Sequence, residues 1–458
     1  MTAPVTSLLI LGGSGDLSSR LLLPALGQLL TEQPEREMHL VGAGTEKWSD
    51  DDWRKKVRSS FATQKASGSC VRKVLQNTAY LTADVTKVDD LTRLVKACQG
   101  TPAIYFALPP AITAKACAAL KQVALPEGTV LALEKPFGTD QASAAALNAL
   151  VTDLVPEEQV HRIDHFLGRS AVYNMLGLRF ANRIFEPVWN AGHIERVDIR
   201  FDETLGLENR ARYYDKAGAL VDMIQSHLLQ VLSVFAMEPP ATLAAIDLRD
   251  AKAQVIRAVK VWHDRPSRFS RRARYTAGTI DGRKLPSYVQ EKGVNPNLET
   301  ETLAEVTVEV DNWRWAGVPF TLRSGKALGT ARHEIVVSFR PAQHVPGGLT
   351  GMELPTKLRI ALGPDEMVLE LNINGRGDPH TIDRAELKAD FGVGQLVAYG
   401  EVLEGLLDAD PALTVRGDTA EECWRIVAPV LRSWHANKVP LESYPAGSDG
   451  PTDWAPLG

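Results

Sequence analysis

Near its start the chain sets a short apolar run, Ser7–Leu11, against Gly12-Gly13-Ser14-Gly15-Asp16-Leu17, and a helical stretch opens at Leu21 and continues to about Leu30. Strand, glycine turn and helix in that order constrain the fold more than any other feature. Gly12 and Gly13 allow a tight turn. Gly15 lets the backbone approach a pyrophosphate near a helix N-terminus, where unpaired N–H groups favour an anion. Ser18 stands where the usual pattern has its third glycine.

Similar units follow. Residues 38–43 and 129–133 read as strands, as does the run from Ile104 to the proline turn at Pro109-Pro110. Helical patterns lie between them, at 111–120 and 142–154. Strands alternating with helices at this spacing predict a parallel, doubly wound α/β domain of Rossmann type over residues 1–160. Ligands in such a domain lie beyond the carboxyl ends of the strands, where the glycine turn, Pro109 and Lys135 fall. A cis bond between Lys135 and Pro136 would fix the direction of the lysine.

After about residue 160 the texture changes. Alternating runs at 196–201, 305–310, 320–323, 334–340, 357–362 and 367–373 predict strands, and 219–235, 393–407 and 421–434 predict helices. The expectation for 161–458 is an α+β domain built on a large, mostly antiparallel sheet, with 444–458 as irregular structure laid on the body.

The chain has 458 residues, 44% of them apolar, enough for more than one core. Its net charge of −5 gives no field that would attract nucleic acid. Four cysteines without a C-x-x-C spacing argue for reduced thiols, with neither a disulfide framework nor a metal site. The first residues carry no basic leader pattern, and the apolar runs break short of a membrane span. The expectation is a soluble cytoplasmic protein without a membrane partner.

Three runs carry candidate chemistry. Val160-His161-Arg162-Ile163-Asp164-His165-Phe166-Leu167-Gly168-Arg169 places an acid, a base and a cation close together, and reads as a strand end followed by a loop. Gly168 is expected to permit the break through its tolerance of positive φ. An apolar helix from Leu220 is interrupted by Asp222, Gln225, Ser226 and His227, polar groups that need partners when buried. The run from Val318 to Lys326 ends a strand with a second lysine.

Taken together these residues resemble the glucose-6-phosphate dehydrogenase family along essentially the whole chain. The matching blocks are Gly12–Leu17, Ala107–Pro110, Glu134–Gly138, Arg162–Gly168, Leu178–Phe185, Asp222–Gln230, Arg323–Leu328 and Tyr444–Pro451, in the family's order. The resemblance implies oxidation of glucose 6-phosphate at C1 to 6-phosphogluconolactone. His227 would be the general base and Asp164 its orienting carboxylate. His165 and Arg169 correspond to ligands of the sugar phosphate; Lys135, Glu203, Asp222 and Lys326 to groups on the sugar hydroxyls. Gly12, Ser14, Gly15, Asp16, Thr45, Lys47, Ala107, Pro109 and Lys135 would meet the cofactor. The resemblance implies NADP, with NAD or dual use open, and a homodimer or homotetramer.

Several positions depart from the family's pattern. Phe166 replaces a tyrosine and Arg169 a lysine, removing one phosphate donor while keeping a cation. Leu21 replaces a lysine and Val221 an arginine. Thr45 stands where an arginine commonly binds the 2′-phosphate of NADP, with Glu46 and Lys47 beside it. The alternatives are a dehydrogenase of the same mechanism acting on another aldose or aldose phosphate, and a catalytically silent dinucleotide-binding homologue.

Overall fold

The computed structural model describes residues 5–454 apart from Asn209, residues 352–353, Pro364, Arg376 and Val393. The chain divides into two compact units. One comprises Met1–Arg169, Pro240–Ala253 and Gly394–Glu422; the other comprises Ser170–Pro239, Gln254–Val393 and Cys423–Gly458.

In the first unit, β1 (Ser7–Leu11), β2 (His39–Gly44), β3 (Ala79–Thr82), β4 (Pro102–Phe106), β5 (Val130–Glu134) and β6 (Val160–Ile163) form one sheet. Its order is β3-β2-β1-β4-β5-β6, and every pairing is parallel. The order reverses between β1 and β4, which makes the ends of those two strands the crevice of a doubly wound fold. This is the expected Rossmann-type architecture.

Local chemistry explains how the helices seat on this sheet. Ser49 and Asp52 form a reciprocal capping box that starts the helix Asp50–Ala62. From that helix, Trp53 reaches under the strands and donates its indole N–H to Thr78 Oγ1 at 2.7 Å. Gly42 makes the room: a Cβ there would lie 2.6 Å from the indole. The helix Ala398–Leu407 contributes Tyr399, Val402, Leu403 and Leu406 to the same core as Leu26 and Leu29.

A single cut at 160/161 does not describe this unit. Strand β6 hydrogen-bonds to β5, and two later segments return to cover it. Val415 donates its amide to Arg162 O at 3.0 Å, and Arg249 reaches Glu157 Oε1 at 2.7 Å.

The second unit is built on β7 (Ile194–Asp202), β8 (Val259–Val261), β9 (Ser270–Thr276), β12 (Leu303–Val310), β13 (Phe320–Gly325), β14 (Arg332–Phe339), β15 (Thr350–Gly351), β16 (Lys357–Ala361), β17 (Glu366–Asn374), β18 (Thr381–Asp390) and β19 (Leu441–Pro445). A separate hairpin pairs β10 (Gly278–Ile280) with β11 (Arg283–Leu285). The large sheet runs β15-β18-β17-β16-β14-β7-β13-β12-β9-β19, with β8 added on β12. Most pairings are antiparallel, as expected, but β7 with β13, β9 with β19 and β15 with β18 are parallel. The segment expected to be irregular from residue 444 instead begins inside β19, and residues 455–458 lie outside the described residues. The helix expected from 393 begins at Ala398, and Val393 is likewise outside them.

Against the sheet lies one long helical run, Ala211–Ala236, broken at Gly218 and widened over Leu220–Leu228. Among the described residues it is the one helix long and apolar enough to cross a membrane, a length the sequence reading did not expect. It is mostly buried in this unit as a core helix. Its end is pinned by indole groups that satisfy its last carbonyls: Trp189 Nε1 donates to Phe235 O at 3.0 Å and Trp315 Nε1 to Ala236 O at 2.8 Å.

Candidate active site

On the first unit the predicted residues gather at the carboxyl edge of the parallel sheet. Gly12 follows β1 with φ +89° and donates its amide to Ala43 O at 2.8 Å. A Cβ at Gly12 would fall 2.3 Å from Ala107 O, beyond the end of β4, so β1 and β4 close on each other only through glycine. Gly15 donates to Gly12 O at 3.0 Å, and Ser18 Oγ returns to the same oxygen at 2.9 Å. Ser18 therefore ties the turn where a third glycine was expected. Asp16 pairs with Arg20 at 3.3 Å on the surface. Thr45 and Lys47 are exposed just past β2, and Pro109 precedes the helix Pro110–Leu120. This tight, glycine-rich turn at the switch point fits a dinucleotide pyrophosphate.

Two strands further along, register brings the next groups together. Glu134 pairs with Ile163, so Lys135 and Asp164 leave the sheet side by side. The Lys135–Pro136 bond is cis, as expected. Asp164 is buried, and its Oδ1 accepts from the Phe166 amide at 3.0 Å. Three successive bonds then curl the loop: Leu167 N to Asp164 O, Gly168 N to His165 O and Arg169 N to Phe166 O. Gly168 does not have positive φ, contrary to expectation. Its requirement is close approach: a Cβ there would sit 2.4 Å from Ala398 O.

The ring of His165 stacks on Tyr399 at 5.3 Å between centroids, and the Arg169 guanidinium lies 4.3 Å from the centroid of Phe166. Arg162, from the same run, is an internal anchor. It is buried against Glu157 at 2.8 Å and Asn148 at 2.9 Å.

A carboxyl that sequence reasoning gave no role underlies this edge. Glu134 Oε1 accepts from Tyr105 at 2.5 Å and from Tyr399 at 3.3 Å. Burial pushes its pKa up to about 6, against the hydrogen bond from Tyr105 and the charge of Lys135. Tyr399 thus joins Glu134 to the ring of His165. Its adjacency to Lys135 was the one local signal for Glu134; nothing near Tyr399 pointed to this role.

The second unit holds the remaining predicted residues. Glu203 follows β7 and Lys326 follows β13, two strands paired in parallel up to Asp202 and Gly325. Lys326 Nζ donates to Glu203 Oε2 at 2.5 Å and lies 5.3 Å from the centroid of Tyr214. Burial, together with Glu301 and Asp222, raises the Tyr214 phenol well above its ordinary range. Asp222 and His227 are buried on the widened stretch Leu220–Leu228, where Ser226 Oγ bonds back to Asp222 O at 2.9 Å. Such widened turns within helices concentrate at functional positions.

Glu301 starts that stretch. Its Oε1 accepts from the Leu220 amide at 3.0 Å, and Gly218 (φ +67°) exists because a Cβ would meet the same carboxyl at 2.3 Å. Burial raises its pKa from 4.5 to about 7, opposed by the Leu220 amide and by Arg272. The folded state therefore holds this proton more tightly than the unfolded chain. The resulting stabilisation is full below the unfolded value and is lost as pH rises through about 7. Glu301→Gln, which keeps an acceptor for Leu220, is expected to raise stability at pH 8 by about 2–3 kcal/mol and to change little at pH 4. Thermal unfolding at the two pH values checks this; an equal shift at both contradicts it.

Comparison with known proteins agrees with this organisation. Residues 9–174 match the family model described as the glucose-6-phosphate dehydrogenase NAD binding domain, and residues 176–457 match that of its C-terminal domain. Glucose-6-phosphate 1-dehydrogenase of Zymomonas mobilis is 36% identical, over 99% of this chain and 97% of its own. The crystal structure of glucose-6-phosphate 1-dehydrogenase from Mycobacterium avium superposes with a TM-score of 0.84 at 32% identity, covering 98% of this chain and 95% of that one. A glucose-6-phosphate dehydrogenase in complex with its substrate glucose-6-phosphate superposes with a TM-score of 0.88 at 28% identity, covering 99% of this chain and 97% of that one. The chain belongs to the glucose-6-phosphate dehydrogenase family.

Proposed function

We propose that this protein oxidises glucose 6-phosphate at C1 to 6-phosphogluconolactone with NAD or NADP as acceptor. The observation that carries the reading is its likeness, over nearly the whole length, to glucose-6-phosphate 1-dehydrogenases. A bound nicotinamide ring supplies the site that takes the hydride. His227 takes the proton from the C1 hydroxyl, for which imidazole has suitable basicity near neutral pH. Asp164 orients that imidazole and stabilises its charged form, as the carboxylate does in a triad. His165 and Arg169 hold the phosphate. Lys135, Glu203, Asp222 and Lys326 hold the sugar hydroxyls, the last already hydrogen-bonded to Glu203.

Absorbance at the reduced-nicotinamide band, followed with glucose 6-phosphate and each cofactor in turn, tests the reading. No signal with either cofactor overturns it. The Arg169–Phe166 stack favours one alternative, a different aldose or aldose phosphate, since a ring without a hydroxyl lies under the cation. If Arg169 and His165 clamp the phosphate, kcat/KM for glucose 6-phosphate exceeds that for free glucose by about 10³-fold or more. Comparable values would favour the alternative.

The same reading puts the protein in the cytoplasm as a homodimer or homotetramer. Its four cysteines are free thiols, and the large sheet exposes Ile373 and Leu387 from β17 and β18.

A further inference from the structure

Strand β2 ends at Gly44, followed by Thr45-Glu46-Lys47. Three oxygens converge over Gly44. A Cβ built there would lie 2.6 Å from the Tyr80 hydroxyl, 2.9 Å from Glu46 Oε2 and 3.0 Å from Ser14 Oγ. Ser14 belongs to the glycine turn and donates to Glu46 Oε2 at 2.5 Å. The backbone of Glu46 is fixed as well, since Thr82 Oγ1 donates to its carbonyl at 3.0 Å. The hydrogen bond from Ser14, then a backbone amide, and also Tyr80, hold this carboxyl below the usual glutamate range. An ionised, oriented carboxylate therefore stands between the turn that fits a pyrophosphate and the end of the second strand. In a doubly wound fold that is where the adenosine ribose lies.

We propose that Glu46 reads the adenosine ribose and makes this protein prefer NAD over NADP. The two ribose hydroxyls of NAD are donors that match a carboxylate. The 2′-phosphate of NADP brings like charge to a group that the hydrogen bond from Ser14 holds in place. Thr45, in the slot where the family commonly has an arginine, offers no cation to offset it. Arg20 is paired with Asp16 instead. Glu46 and Lys47 are both exposed, and the groups that set the Glu46 carboxyl are hydroxyls and a backbone amide. The preference runs against the NADP expected from the resemblance. It rests on the dehydrogenase reading only in requiring a bound dinucleotide.

Titrating the full chain with NADH and with NADPH, followed by nicotinamide fluorescence, reads the preference without any sugar. NADH is expected to bind at least about 10-fold more tightly than NADPH. Glu46→Gln should close most of that gap by tightening NADPH, and Glu46→Arg should reverse it. Equal or tighter binding of NADPH by the parent overturns the proposal, as does an unchanged ratio in both variants. A retained ratio in a protein that oxidises no glucose 6-phosphate supports it while overturning the dehydrogenase reading.

Discussion

His227→Asn is expected to lower kcat for glucose 6-phosphate oxidation by about 10³-fold, within the range that general-base catalysis supplies. The substitution keeps a polar group in a position that is 1% exposed. That helix is anchored well away from residue 227, where Trp189 and Trp315 cap its final carbonyls. The asparagine amide cannot take up a proton near neutral pH, and this is the property that the proposed chemistry needs. NADH binding should be nearly unchanged, which separates lost chemistry from lost fold. A kcat within about tenfold of the parent would remove His227 from the mechanism.

Gly168→Ala is expected to reduce kcat/KM by about 10²-fold, because misplacing positioned groups by an ångström has consequences of that size. The added methyl would sit 2.4 Å from Ala398 O and 3.2 Å from Val402 Cγ2, both on the helix that buttresses the loop. The loop must then move, carrying Asp164, His165 and Arg169 with it. Overpacking of this kind also costs about 1–3 kcal/mol of stability. The glycine turn after β1 lies on other strands, so NADH affinity should persist. Wild-type kcat/KM in a folded variant would show that the loop tolerates the methyl and that Gly168 has no positioning role.

The parallel sheet was largely legible because its signals are local. Apolar strands such as Ser7–Leu11 end in glycine or proline turns, and each is followed by a helical pattern. The short strand Ala79–Thr82 gave too little pattern to register. In the second unit, β18 was hidden by its own side chains. Its alternation rests on the small residues Ala385 and Ala389 around Leu387, set among Arg384, Glu386, Lys388 and Asp390, which makes a weak apolar signal. Strand β9 was masked by arginines, among them Arg272, which is buried with Val439 O and Trp434 O accepting from it at 3.2 Å. No local pattern announces that β7 and β13 run parallel in an otherwise antiparallel surrounding.

The candidate residues followed the same division. His227 stood out as a polar group in an apolar helix, and Lys135 and Asp164 by their places at strand ends. Gly168 was singled out for the wrong reason, since the carbonyl that crowds it belongs to residue 398. The stack of His165 on Tyr399 and the bond from Tyr399 to Glu134 likewise depend on chain far from the motif.

The return of residues 394–422 to the first unit bears on how a ribosome must make this molecule. Leu26 and Leu29 emerge early, while Leu403 and Leu406, which share their core, are translated near the end. At roughly 5–20 residues per second, the nascent nucleotide-binding half waits on the order of tens of seconds with greasy surface uncovered. A product truncated before residue 394 would keep that surface indefinitely, and such a fragment should depend on chaperones or precipitate.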